Sequence, residues 1–312
     1  SFIDCMNYLR RAMQTSFFKL ESNFKLDYAP CSVKKWRSSR TGLELTLISQ
    51  KSPIVNGYFA VGTEILDDSG CPHTLEHLVF MGSKKYPYKG LLDLLGNMAF
   101  SVTNAWTATD QTVYTLTTAG WDGFRMLLPV YLDHILYPKI TDAACYTEVY
   151  HLDGEAKDKG VVYSEMQAIE NQPSFIQGLT AQRTLYKKSG YKSETGGLTK
   201  NLRILKNDEI RKYHSENYRP DNLCIIISGS VDEGELLDVM TRVDSELDSL
   251  PAVPRKRPFL DSPHDEPLTT LVKKTVEFPD EDESSSEVQF SWIGPDGRDL
   301  VMDQAVDISV SY

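Results

Sequence analysis

No run in the 312-residue sequence approaches the roughly 20 consecutive apolar residues that a membrane span requires, so no membrane-crossing helix is expected. Cysteine is scarce and scattered: Cys5, Cys31, Cys71, Cys145 and Cys224, with no C-x-x-C pair among them. An odd number without paired spacing argues against a disulfide framework and fits reduced thiols. Basic charge is short as well. With 33 Lys and Arg against 44 Asp and Glu, the net charge is −11, which argues against a nucleic-acid binder, because phosphate contacts need a basic face. The first residues contain no apolar signal region, and Arg10, Arg11 and Lys19 make too short a mixture to read as a transit peptide. The expectation is a cytoplasmic protein, with mitochondria as the alternative.

What the sequence does contain is Cys71-Pro72-His73-Thr74-Leu75-Glu76-His77-Leu78, which reads as the start of a helix. Pro72 suits a first helical turn, and Asp67, Asp68 and Ser69 offer capping side chains. His73 and His77 are then one turn apart on one face, close enough to share a metal ion. Glu76 lies beside that face and can act on a water held by such an ion without being a ligand itself. The pattern is H-x-x-E-H, the inverse of H-E-x-x-H. The competing reading is a pair of surface or hydrogen-bonded core histidines. Zinc in catalytic sites takes three protein ligands plus water. The best third candidate is Glu165 in Gly160-Val161-Val162-Tyr163-Ser164-Glu165-Met166, among apolar residues where a carboxylate needs a partner. A solvent-facing glutamate is the alternative there.

Taken in order, residues 17–61 predict three strands, over Phe17 to Asp27, Leu43 to Ile48 and Ile54 to Val61, with a turn at Ser38 to Gly42. Helices follow at the histidines and over Gly90 to Met98. Two β-rich runs, Ser101 to Thr107 and Thr112 to Thr117, flank Thr109-Asp110. An amphipathic helix is expected over Trp121 to Tyr137, kinked or divided at Pro129. Residues 141–158 read as loop, Val161 to Tyr186 as helix broken at Pro173, Asn207 to Asn217 as helix, Leu223 to Ser228 as a buried strand and Glu233 to Leu247 as helix. The fold class expected is α+β, a mixed sheet packed with helices. Four segments result: an extension over 1–16, a main domain over 17–250, a Pro-rich linker over 251–267, and the start of a second, incomplete domain over 268–312. The last carries two expected strands, Leu268 to Glu277 and Val288 to Ile293, and a helix from Leu300. Arg255-Lys256-Arg257 reads as a solvated linker run or a localisation signal, and Cys71 as a packing residue or a reactive thiol. His134, His151, His214 and His264 have no ligand spacing among themselves.

H-x-x-E-H followed by Gly-Val-Val-Tyr-x-Glu-Met resembles the inverzincin peptidases of the pitrilysin and insulin-degrading enzyme family. His-Thr-Leu-Glu-His-Leu-x-Phe-x-Gly-Ser and Tyr86-Pro87 look most like its presequence-protease branch. The resemblance implies a metallopeptidase-type αβ domain followed by a similar one, and a zinc endopeptidase acting on unstructured peptides. It implies one zinc per chain on His73, His77 and Glu165, with Glu76 as general base. Asn104-Ala105-Trp106-Thr107 matches a strand whose edge binds the substrate backbone, although Trp106 is equally readable as a core aromatic. Family members usually carry a glutamate seven residues before the ligand glutamate. That position here is Asp158, which would orient a histidine at shorter reach. The family encloses substrate between two halves, so a C-terminal half of the same protein or a second subunit is implied as partner, with neither nucleic acid nor membrane. The alternatives are a non-catalytic family member serving as a partner subunit, whose signature would be loss of a site residue, and a lyase of the S-ribosylhomocysteine type. That last family is much shorter and uses a third histidine.

Overall fold

Alternating apolar and polar residues build strands whose inner faces are buried and whose outer faces are half open. In Leu223–Gly229, for instance, Leu223, Ile225 and Ile227 are buried while Cys224 and Ile226 are only partly so. The computed structural model describes residues 17–250, 255–280, 284 and 286–311. The extension expected over 1–16 and residues 251–254 of the linker lie outside them.

In chain order the elements are β1 (Phe18–Lys25), β2 (Ser32–Ser38), β3 (Glu44–Ser49), β4 (Val55–Gly62), α1 (Cys71–Val79), α2 (Leu91–Met98), β5 (Ser101–Thr107) and β6 (Gln111–Thr118). There follow α3 (Trp121–Leu136), α4 (Asp142–Glu148), the short hairpin β7 (His151–Leu152) and β8 (Asp158–Lys159), α5 (Val161–Ile169), α6 (Pro173–Leu185), α7 (Thr199–Leu202), α8 (Asn207–Asn217), β9 (Leu223–Gly229), α9 (Glu233–Glu246) and α10 (Leu300–Val310). A seven-stranded sheet takes the order β1-β2-β3-β9-β4-β6-β5. β9 runs parallel to β3 and antiparallel to β4, so the sheet is mixed and the fold is α+β, as the sequence predicts. The strand closest to the chain's far end thus stitches the three-stranded β1–β2–β3 unit to the rest of the sheet. β5 pairs with β6 and forms an edge.

Several expectations change: the first part of the chain forms four strands and not three, because β2 pairs between β1 and β3. Pro129 does not divide α3, which runs unbroken with Phe124, Leu128, Leu132 and Ile135 buried. Residues 141–158 are not a loop: Thr141 Oγ1 accepts from Ala144 N at 3.1 Å and starts α4, and the β7–β8 hairpin follows. The described part of the Pro-rich stretch lies along the body. Asp265 accepts backbone N–H bonds from Lys187, Lys188 and Ser189 at 2.6, 2.8 and 2.9 Å, and Phe259 packs on Tyr191. Beyond it, the strands expected around 268–277 and 288–293 do not form among the described residues, whereas the helix expected from Leu300 forms as α10.

Candidate metal centre

The apolar residues of α1 fix which face carries the chemistry. Cys71, Leu75, Leu78 and Val79 go into the core, which turns His73, Glu76 and His77 together to the opposite side. Of the capping side chains expected before α1, Ser69 Oγ accepts from Cys71 N at 3.5 Å, and the two aspartates do other work. Gly70, at φ 78°, is the cap, while Asp68 binds Arg183 and the Glu194 N–H, and Asp67 accepts from Ser69 N. Gly70 meets Gly197 backbone to backbone; a Cβ there would lie 2.8 Å from the Gly197 Cα. That contact brings the 196–197 loop against the start of α1.

α5 delivers the third donor. Its first turn buries Val162 and Tyr163, and Glu165 projects toward the histidines with about half its side chain exposed. His73 Nε2 lies 3.3 Å from His77 Nε2, and Glu165 Oε2 lies 3.4 Å from the first and 3.5 Å from the second. Two bonds of about 2.0–2.1 Å at a tetrahedral ion span a donor–donor edge of about 3.3–3.4 Å. The three side chains therefore form one triangular face of the size a zinc ion takes, and they are the one such metal-competent group of His, Cys, Asp and Glu among the described residues. Burial, and then the neighbouring His77, hold the His73 imidazole below its ordinary pKa, favouring the neutral ring that ligates.

Glu76 is not part of that triangle. Burial raises its pKa above the ordinary carboxylate range, against the pull of a 2.5 Å hydrogen bond from Thr107 Oγ1. A partly buried carboxylate with a raised pKa is suited to accept and return a proton. Thr107 ends β5, so the hydroxyl ties the sheet edge to the helix. Along the same strand Asn104 and Trp106 are exposed and Ala105 is half-buried. Trp106 is 41% exposed, edge-on to Tyr58 at 6.4 Å, which removes the core-aromatic reading.

Asp158 is engaged elsewhere. Its carboxylate accepts from Tyr150 at 2.8 Å, Tyr163 at 3.2 Å and Arg203 at 2.7 Å, and the structure does not bring it into contact with either histidine. The carboxylate that faces the other ring nitrogen of His77 is Glu148, 3.8 Å from Nδ1; sequence reasoning missed it because 141–158 read as loop. The Cys71 thiol is buried and its pKa is pushed up to about 11 by that burial, so it packs and does not react. His134, His151 and His214 each bond a backbone carbonyl.

Residues 63–194 match the family Insulinase (Peptidase family M16), and residues 205–307 match Peptidase M16 inactive domain. The chain belongs to peptidase family M16. His73, Glu76, His77, Thr107, Glu148 and Glu165 all fall in the first of the two M16 matches. The chain is 57% identical over 303 residues to an uncharacterised protein of Saccharomyces cerevisiae, covering 95% of this chain and 29% of that one. It is 33% identical over 216 residues to Presequence protease 1, chloroplastic/mitochondrial, of Arabidopsis thaliana, covering 66% of this chain and 20% of that one. In fold it resembles pitrilysin, with a TM-score of 0.63 at 18% identity over 75% of this chain and 25% of that one. A protease from Helicobacter pylori gives 0.63 at 19% identity over 74% and 54%. This M16 chain spans under a third of the length of the curated relatives it matches.

Proposed function

We propose that this chain carries the catalytic domain of a zinc-dependent endopeptidase that hydrolyses unstructured peptides. The observation that carries the reading is the triangle of His73, His77 and Glu165 donors at 3.3–3.5 Å, with the unligated Glu76 beside it. A non-catalytic partner subunit would be marked by loss of one of these side chains, and all four are present.

When bound, zinc polarises a peptide carbonyl and makes water acidic near neutral pH. The chain's own groups do the rest. Glu76 takes the proton of the attacking water and returns it to the leaving amine, held at its post by Thr107. The free edge of β5 adds an extended peptide as a further strand, which reads backbone more than side chains and makes the expected specificity broad.

In this reading residues 17–250 are the catalytic domain, 251–267 join it to the next, and 268–312 begin a second, similar one. The remainder of a substrate chamber comes from a C-terminal half of the same protein or from a second subunit. The names of the presequence proteases place those proteins in mitochondria or chloroplasts, which supports the mitochondrial alternative for this chain and lends nothing to the cytoplasmic one.

The test is metal content by mass spectrometry on the purified chain, with cleavage of flexible peptides with and without chelator. About one zinc per chain is expected, retained by Glu76→Gln and lost by Glu165→Gln, and cleavage by Glu76→Gln should fall by several orders of magnitude. A folded chain that refuses added zinc would overturn the reading.

A further inference from the structure

We propose that Glu148, rather than Asp158, is the positioning residue that orients His77 for metal binding, a proposal that rests on the zinc reading. His77 points Nε2 at His73 Nε2 and at Glu165, 3.3 and 3.5 Å away. A ring that ligates through Nε2 keeps its proton on Nδ1, and a group that accepts this proton fixes both tautomer and ring plane. Glu148 Oε2 is the charged group facing that nitrogen, 3.8 Å away. This is longer than a hydrogen bond, and a side-chain adjustment of under about 1 Å closes it.

The setting favours that closure. Glu148 ends α4 and is almost wholly buried, at 8% exposure, where an unpaired carboxylate is costly. Its other oxygen, Oε1, faces Lys89 Nζ at 3.4 Å, so Oε2 is left toward the imidazole. α4 is also coupled to the helix carrying the third donor. Val149 O accepts from Tyr163 N at 3.3 Å, and Gly160 lets the start of α5 lie directly on the end of α4. Glu148 and Glu165 therefore stand on one rigid corner, one behind the ring and one in front of it. Asp158 cannot take this part while Tyr150, Tyr163 and Arg203 hold its carboxylate.

The experiment is zinc affinity by competition with a chromogenic chelator for wild type, Glu148→Gln, Glu148→Asp and Asp158→Asn, together with the rise in unfolding temperature on adding zinc. Glu148→Gln should bind zinc about 10–100-fold more weakly, Glu148→Asp should fall between it and wild type, and Asp158→Asn should stay within about threefold. The zinc-induced rise in unfolding temperature reads affinity even if a variant is less stable without metal, since it depends on binding to the folded state alone. Wild-type affinity in Glu148→Gln, or an equal loss in Asp158→Asn, overturns the assignment. Failure of wild type to bind zinc at all overturns the zinc reading first, and this one with it.

Discussion

Gly160→Ala tests whether the corner between α4 and α5 is what holds the proposed metal ligands in place. Gly160 sits at φ 132°, ψ 145°, a conformation that costs an L-residue about 1–3 kcal/mol. An added Cβ would lie 2.2 Å from the Val149 carbonyl oxygen, 2.7 Å from its carbon and 2.9 Å from the Tyr150 Cα. All three atoms are backbone, so no side chain can swing aside and the two helices must part by about 1 Å. Parting strains the Tyr163 N to Val149 O bond, worth about 1 kcal/mol. The sum is a destabilisation of about 2–4 kcal/mol, read by urea unfolding of the metal-free chain. Zinc affinity should fall as well, because Glu148 precedes the contact and Glu165 follows it. Gly154→Ala is the control: its Cβ meets nothing within 4 Å, and the change should be neutral or stabilise by under about 1 kcal/mol. If Gly160→Ala unfolds within about 0.5 kcal/mol of wild type and binds zinc equally well, the corner is not rigid and the reasoning fails.

Thr107→Val removes a charge-assisted hydrogen bond to the base worth about 1.5–3 kcal/mol, so kcat for peptide cleavage should drop about 10–100-fold with KM and zinc content unchanged. Thr107→Ser should recover most of it; a Val variant with wild-type kcat would remove Thr107 from the mechanism. Asp265 makes a pH-dependent contribution to the fold: burial pulls its pKa up, but the N–H groups of residues 187–189 that its carboxylate accepts from outweigh that and hold it at about 2. A folded-state pKa below the unfolded value stabilises above about pH 4 and is lost as pH falls through 2. Discounted for solvent exposure, Asp265→Asn should cost about 1 kcal/mol at pH 7 and about half that at pH 3. Equal urea-midpoint differences at both pH values would show that the carboxylate charge is not what fastens this segment.

Placements that depend on local spacing were legible from the chain, and most of those that depend on packing were not. His73 and His77 are one helical turn apart, and α1 brings them together whatever surrounds it. Glu165 needed the fold to bring α5 to α1, and an apolar neighbourhood was the clue. The place of β9 between β3 and β4 could not be read, since its alternation of Leu223, Ile225 and Ile227 fits any interior slot of a sheet. α4 was missed because seven residues span too few turns to show a period; its signal was the Thr141 cap. With α4 went Glu148, which a loop reading leaves in solvent. Asp67 and Asp68 were read as caps from position alone, but Asp68 is drawn away by Arg183, distant in sequence. The runs at 268–277 and 288–293 have strand-like composition, yet a strand exists only when another pairs with it.

The tie between Thr107 and Glu76 places the edge of the sheet and the proposed base within one hydrogen bond of each other. Along β5, side chains alternate: Thr103, Ala105 and Thr107 are more buried than Val102, Asn104 and Trp106, which stand on the open face. A peptide added at this edge continues the same alternation. Its alternate side chains would lie beside Trp106, while in the proposed reading its backbone runs past the Glu76 carboxylate. The edge is not left bare. Asn104 Oδ1 accepts from the Ala105 N–H at 2.9 Å, so a donor that an incoming carbonyl would seek is already satisfied by its neighbour. An exposed strand edge invites pairing with any other edge, and an asparagine folded over it is a barrier that a well-aligned extended peptide can displace with a stronger backbone bond. Selection by displacement favours chains that are free to extend, which is the physical content of the proposed preference for unstructured peptides.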